Sequence, residues 1–216
     1  MSSASAQEIG TQKPLVLVVD DDASIRTALS ALFRSVGLDT ETFGSTTEFL
    51  AREAPNRECC LVLDVRLPGV SGLDFHAELS QHHREIPVVF MTGHGDIPMT
   101  VRAMKAGAVD FLAKPFREQD MLDAVVAALK RDREQRGARS EVSGLQARQA
   151  ALTAREREIM DLVTRGLMNK QIAAQVGLSE ITVKIHRGRM MKKMGARSVA
   201  ELVKMSQALG ASEPAP

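Results

Sequence analysis

The sequence predicts an α/β domain built on a doubly wound parallel sheet, followed by a small all-α domain. Short apolar runs alternate with amphipathic, helix-spaced segments through the first 130 residues, the pattern of repeated strand-helix units. Beyond residue 150 the strand signals stop, and capped helical segments follow one another closely. Charge separates along the chain as well. Residues 1 to 120 hold 11 Lys and Arg against 17 Asp and Glu, a net of −6, whereas residues 121 to 216 hold 17 against 10, a net of +7. Blocks of opposite sign suit different partners: multivalent cations in front, a polyanion such as DNA behind.

Each element of the front domain has its own signal. Leu15 to Val19 is a first strand, and the helix after it carries Ile25, Ala28, Leu29, Leu32, Phe33 and Val36 on one face, closed by Gly37. Thr40 to Phe43 is a second strand. Ser45-Thr46-Thr47-Glu48 has the form of a capping box and opens the next helix. Cys60 to Leu63 is the third strand; Pro68-Gly69 with Ser71-Gly72 marks a loop, and Leu73 to Leu79 reads as helix. Pro87 to Met91 is the fourth strand, Asp96 with Pro98 starts a helix, and Gly107 ends it. Ala108 to Ala113 is the fifth strand, and Met121, Leu122, Val125, Val126 and Leu129 line a fifth helix, which completes a (βα)5 domain.

Behind it, Lys130 to Gln149 is a charged stretch interrupted by Gly137 and Gly144, for which a helical linker is preferred over a flexible tether. Thr153-Ala154-Arg155-Glu156 is a capping box that opens a helix with Ile159, Leu162 and Val163, ending near Gly166. Asn169 to Val176 is a second helix, stopped at Gly177. Ser179 caps a third, running to about Met194, and Ser198 to Glu201 caps a fourth, running through about Leu209. The tight Val176 to Ser179 connection fits a helix-turn-helix. The expected domains are a disordered tail over 1–12, the α/β domain over 13–130, a helical linker over 131–149, the four-helix domain over 150–210 and a tail over 211–216.

The composition, 44% hydrophobic and 25% charged over 216 residues, is that of a soluble globular protein. No membrane span or signal peptide is legible, so a cytoplasmic location is expected. Cys59 and Cys60 are neighbours inside an apolar run, an arrangement for buried thiols rather than a bridge or metal site.

Chemistry gathers where the predicted strands end, and in an open parallel sheet ligands bind at those carboxyl ends. Asp20-Asp21-Asp22, Asp64, Thr92 and Lys114-Pro115 each follow a different strand. An acidic triplet alone is often a helix N-cap, and a Lys-Pro pair alone says almost nothing. Together they define one address. Clustered carboxylates resist ionising unless a divalent cation is bound among them, and Mg²⁺ prefers such oxygen ligands. With that charge neutralised, the Asp64 carboxylate can attack phosphorus and become an acyl phosphate. The Thr92 hydroxyl, the Lys114 ammonium and the cation would face the transferred oxygens.

In the third helix of the back domain, Val183, His186, Met190 and Met194 recur at core spacing, while Lys184, Ile185 and Gly188 share another face. That face is free to enter a DNA groove. Lys184 and its neighbours Thr182, Ile185 and Gly188 would meet base edges, with Arg187, Arg189, Lys192 and Lys193 nearer phosphates. His186 has no metal-binding partner at helical spacing and reads as structural, and the methionines read as core filler.

Val18-Val19-Asp20-Asp21-Asp22, Leu63-Asp64-Val65-Arg66-Leu67-Pro68-Gly69, Met91-Thr92-Gly93 and Ala106 through Pro115 resemble the receiver domain of two-component response regulators. The resemblance implies that Asp64 is the phosphoacceptor. It also implies that Asp20, Asp21, Asp64 and the Arg66 backbone carbonyl hold Mg²⁺, that Thr92 and Lys114 contact phosphoryl oxygens, and that Phe111 is an aromatic switch. Phe111 stands where Tyr is commoner, so no step can use a phenolic hydroxyl here. The Lys114-Pro115 peptide is expected to be cis. Leu152 to Glu158, Gly166 to Ala173 and Thr182 to His186 resemble the LuxR-type helix-turn-helix. A receiver joined to that output domain is the architecture of the NarL/FixJ subfamily, and Thr92 through Phe116 is most similar to its FixJ/StyR/TodT branch. The implied partners are a sensor histidine kinase, promoter DNA, RNA polymerase and a second copy of the chain after phosphorylation. The implied function is phosphorylation-controlled transcription rather than enzymatic turnover.

Two other classes stay open. Haloacid-dehalogenase-like phosphohydrolases also use a strand-end Asp, but they need a second Asp two residues on, where this chain has Arg66. A DNA-binding protein with a vestigial receiver would share the same motifs without responding to phosphate.

Overall fold

The computed structural model describes residues 12–81, 86–93 and 97–210. The chain divides into two compact units, the first ending at Arg136 and the second beginning at Gly137. Asp96, expected to start a helix, and the expected tails up to Thr11 and beyond Gly210 lie outside the described residues.

The first unit runs β1 (Leu15–Val19), α1 (Ala23–Ser35), β2 (Asp39–Phe43), α2 (Thr46–Leu50), β3 (Cys59–Asp64), β4 (Arg66–Leu67), β5 (Val70–Ser71), α3 (Gly72–Gln81), β6 (Val88–Thr92), α4 (Ile97–Lys105), β7 (Asp110–Ala113) and the start of α5 (Glu118–Ala150). Five strands form one sheet in the order β2-β1-β3-β6-β7, every adjacent pair parallel. Alternation along the strands feeds two cores. Leu15, Leu17, Val19, Leu61, Leu63 and Phe90 enter one; Val16, Val18, Cys60, Val62, Val89 and Met91 enter the other, under Leu29, Phe33, Met121 and Val125. Burial on both faces is why these strands read as continuous apolar runs. The strand order reverses on either side of β1, the switch point at which a ligand crevice forms.

Several details differ from the sequence-based expectation. The loop at Pro68-Gly69 is a tight antiparallel hairpin of β4 and β5. β7 begins at Asp110 rather than Ala108, because the Ala108 amide donates back to Ala103 O and closes α4 instead. The Ser45 side chain caps α2 by accepting from the Glu48 amide, but the Glu48 carboxylate accepts from the Gly44 amide, one residue before the cap. Gly137 and Gly144 do not interrupt the helix: α5 runs unbroken from Glu118 to Ala150. Isolated glycines each weaken a helix by only about 1 kcal/mol, and 33 residues carry two of them.

In the second unit, the end of α5 is followed by α6 (Ala154–Thr164), α7 (Asn169–Val176), α8 (Glu180–Met194) and α9 (Val199–Gly210). Leu152, Ile159, Met160, Val163, Ile172, Val183, Met190, Met194, Leu202 and Leu209 form its core, with Leu145 of α5 packed against it. The Thr153 capping box is complete: its hydroxyl accepts from the Glu156 amide, and Glu156 accepts from the Thr153 amide. Gly177 ends α7 in the left-handed region (φ 67°), and Ser179 caps α8 two residues later, which makes the sharp turn between them. Among the described residues no helix is long and apolar enough to cross a membrane. Both cysteines are buried free thiols; burial pushes Cys59 up to about 11 and raises Cys60 as well, which leaves both unreactive.

Candidate functional site

The carboxyl ends of β1, β3 and β7 bring Asp20, Asp64 and Lys114 together. The Lys114 ammonium donates to Asp20 Oδ2 at 2.6 Å and to Asp64 Oδ2 at 2.7 Å. Each carboxylate is aimed by its own backbone. Asp20 Oδ1 accepts from the Asp22 amide at 2.8 Å, and Asp64 Oδ1 accepts from the Arg66 amide at 2.9 Å. The Asp20 and Asp64 side chains are buried, whereas Asp21 is exposed at the rim. Oxygens of Asp20, Asp21 and Asp64 lie within 4.8 Å of one another, a spacing that suits one cation. When all three are ionised, Lys114 leaves the cluster at a net charge of −2, which matches a divalent hard ion taking oxygen ligands. Asp22 is separate: it caps α1 by accepting from the Ser24 amide.

Electrostatics follow from burial and pairing. Burial raises the pKa of Asp20, against the hydrogen bonds from Lys114 and the Asp22 amide that favour its charged form. Burial opposes the Lys114 charge, but its hydrogen bonds to Asp20 and Asp64 prevail and its pKa rises. The ammonium therefore stays protonated at neutral pH, between two carboxylates.

The remaining expected residues surround this centre. Thr92 ends β6 and is buried, and its carbonyl accepts from the Lys114 amide at 2.7 Å. Phe111 pairs with Phe90 across β6 and β7, and its side chain is half-buried against the core that holds Phe90 and Ala103. Lys114-Pro115 is cis. Two further residues shape the site without having been singled out in the sequence. Arg26 of α1 donates to the Asp20 carbonyl at 2.7 Å, and Gly72 packs against the Asp64 backbone. The Pro68 to Gly72 turn signal was the only trace of Gly72, and it gave no sign of that contact.

On α8, Val183, Met190 and Met194 are buried, and His186 is half-buried. Lys184, Ile185, Gly188, Arg189 and Lys192 are exposed. Thr182 shares a hydrogen bond with Ser179 at the cap, and Arg187 donates to Asn169 Oδ1 at 2.8 Å, which ties it to α7. Lys193, expected near phosphates, is exposed; its ammonium donates to Glu156 at 2.6 Å and to the Ala151 carbonyl at 3.1 Å, which ties α8 to the start of α6.

Comparison with known proteins agrees with both halves. Residues 16–126 match the response regulator receiver domain, and residues 150–206 match the bacterial regulatory proteins of the luxR family. Nodulation protein W of Bradyrhizobium diazoefficiens is 59% identical over 200 residues, covering 93% of this chain and 88% of that protein. Response regulator protein TodT of Pseudomonas putida is 45% identical over 196 residues, covering 90% and 86%. The solved structure of the response regulator StyR is 49% identical and superposes with a TM-score of 0.81, covering 91% of this chain and 99% of that one. The chain belongs to the response regulators of the NarL/FixJ subfamily, transcriptional regulators in which a receiver domain precedes a LuxR-type DNA-binding domain.

Proposed function

We propose that this regulator accepts a phosphoryl group on Asp64 from a sensor histidine kinase in the cytoplasm, pairs with a second copy and binds promoter DNA through α8. The observation that carries the reading is the single ammonium of Lys114 held between Asp20 and Asp64, with Asp21 beside them. Asp20, Asp21, Asp64 and the Arg66 backbone carbonyl would hold Mg²⁺, which when bound supplies the positive charge that lets a phosphoryl group approach these carboxylates. A carboxylate oxygen of Asp64 forms the bond to phosphorus while the bond to the donor imidazole breaks. The leaving nitrogen keeps the electron pair and takes up a proton. The Lys114 ammonium, held between Asp20 and Asp64 before transfer, then donates a hydrogen bond to a phosphoryl oxygen, and the Thr92 hydroxyl donates to another.

Movement of Thr92 toward the new group leaves space into which Phe111 turns, repacking the face made by α4, β7 and the start of α5. That face is the proposed dimer surface. A two-fold dimer presents two α8 helices to paired half-sites, so DNA affinity rises with dimerisation. Thr182, Lys184, Ile185 and Gly188 face base edges, while Arg187, Arg189 and Lys192 meet phosphates; contact with RNA polymerase then sets transcription.

Labelling with acetyl phosphate tests the site. The parent chain incorporates phosphate in Mg²⁺ and Asp64→Asn does not; a labelled Asp64→Asn would refute the assignment. Asp21→Asn should need more Mg²⁺ for the same labelling. DNA binding and sedimentation with and without beryllofluoride and Mg²⁺ separate this reading from a vestigial receiver, which would show no difference.

A further inference from the structure

Two isoleucines stand exposed on the outer face of α8, Ile181 at 74% and Ile185 at 49% of their full accessibility. At about 3.6 residues per turn, Ile181, Lys184, Ile185 and Gly188 form one stripe. It lies opposite Val183, Met190 and Met194, which enter the core, so neither isoleucine has an internal packing role. Single exposed apolar residues are ordinary. Two of them one turn apart, flanking a lysine at the start of a helix whose remaining outer residues include Arg189 and Lys192, are a patterned surface.

The surroundings choose the occupant. Residues 121 to 216 carry a net charge of +7, which favours a polyanion. A protein partner covering both isoleucines would have to bury the Lys184 ammonium between them. The DNA major groove instead offers apolar thymine methyl groups next to guanine acceptors, and the first turns of a recognition helix are those that reach base edges. Ile181 is the second residue after the Ser179 cap, and Ile185 is one turn further.

We infer that Ile181 and Ile185 are specificity-determining residues that each pack on the 5-methyl group of a thymine, with Lys184 placed on a guanine between them. Each half-site therefore holds two thymines read by apolar contact alone. Gly188, the next residue of the stripe, adds no side chain and leaves the following position weakly read. This inference rests on the reading of α8 as the DNA-recognition helix.

The test uses the full chain with Mg²⁺ and beryllofluoride. Duplexes are selected from a random library, and the winning sequence is then remade with deoxyuridine replacing thymine at one position at a time. Loss of a buried methyl contact should weaken binding about threefold to tenfold at two positions per half-site. Ile181→Ala should abolish the penalty at one of them and Ile185→Ala at the other, with the remaining penalty kept. Deoxyuridine without effect at every position, or penalties unchanged in both variants, overturns the inference. Lys184→Ala separates the two levels of failure. If it lowers specific binding while deoxyuridine does nothing, only the methyl contacts are wrong; if it too changes nothing, or the library yields no preferred sequence, α8 is not the reader and the inference falls with it.

Discussion

Gly72 lies so close to Asp64 that a side-chain carbon at position 72 would overlap the Asp64 carbonyl oxygen and stand 3.0 Å from the Val65 Cα. Both obstacles are backbone atoms, which cannot turn aside as a side chain would. The Gly72 amide also donates to the Val65 carbonyl at 2.8 Å, so the two segments are held at this separation. Gly72→Ala should therefore push the end of β3 out of place. The expected cost is about 1–3 kcal/mol of stability, read by urea denaturation, together with slower phosphate incorporation at Asp64. Parent-like stability and labelling would show that the α3 start can slide away from β3.

A second pairing holds α5 against the sheet at the end remote from the phosphate site. Asp132 is buried and accepts from the Cys59 amide at 2.9 Å, the first amide of β3, and from Arg136 Nε at 2.6 Å. Arg136 also donates to the Pro55 carbonyl at 3.0 Å. Removing one partner of a buried pair strands the other, so Asp132→Ala should lose about 3 kcal/mol in chemical denaturation. Asp132→Asn keeps an acceptor for the Cys59 amide and should lose less. Equal losses in the two variants would mean that charge rather than the amide contact is what matters.

These two features mark where sequence reading ran out. The strand-end residues Asp20, Asp64, Thr92 and Lys114 were legible because each closes an apolar run, and the runs themselves announce the sheet. Thr153 and Glu156 were legible because a capping box is local, spanning four residues. Asp132 sat in the charged stretch for which a helical linker is preferred, and its partner Cys59 is 73 residues away, beyond any periodicity. Lys193 carries no local sign of its ion pair. Its partner Glu156 lies 37 residues earlier and only the folded packing of α6 on α8 brings them together.

That ion pair predicts a pH dependence. The Lys193 ammonium and the Thr153 amide both donate to Glu156 and hold its pKa at about 2, against an ordinary 4.5. Above pH 4.5 its carboxylate is charged in folded and unfolded chains alike, and the stabilisation is complete. As pH falls from 4.5 toward 2 the unfolded chain takes up a proton that the folded one refuses, so stability is lost across that window. Glu156→Gln should be less stable near neutrality and should lack this component of the acid slope. The chain has no Trp or Tyr, so the readout is thermal unfolding by far-ultraviolet circular dichroism. An unchanged acid slope in the Gln variant would remove Glu156 as its source.

Gly188 offers the opposite kind of position, one where a side chain is free to be added. Among the described residues nothing beyond the helix's own turns lies within 4 Å of a carbon built there, and its φ is not left-handed, so neither space nor backbone demands glycine. A glycine inside α8 costs the helix about 1 kcal/mol relative to alanine. Gly188→Ala should therefore raise stability by that amount, read by thermal unfolding. Gly188→Lys should add a cation on the stripe that holds Lys184 and Ile185, tightening DNA binding about threefold to tenfold and steepening the salt dependence by about one counterion. Titrations of the same duplex at several salt concentrations give both quantities. A Lys variant with parent affinity and parent salt slope would place position 188 outside the DNA contact, and would move the reading surface of α8 toward its first turn.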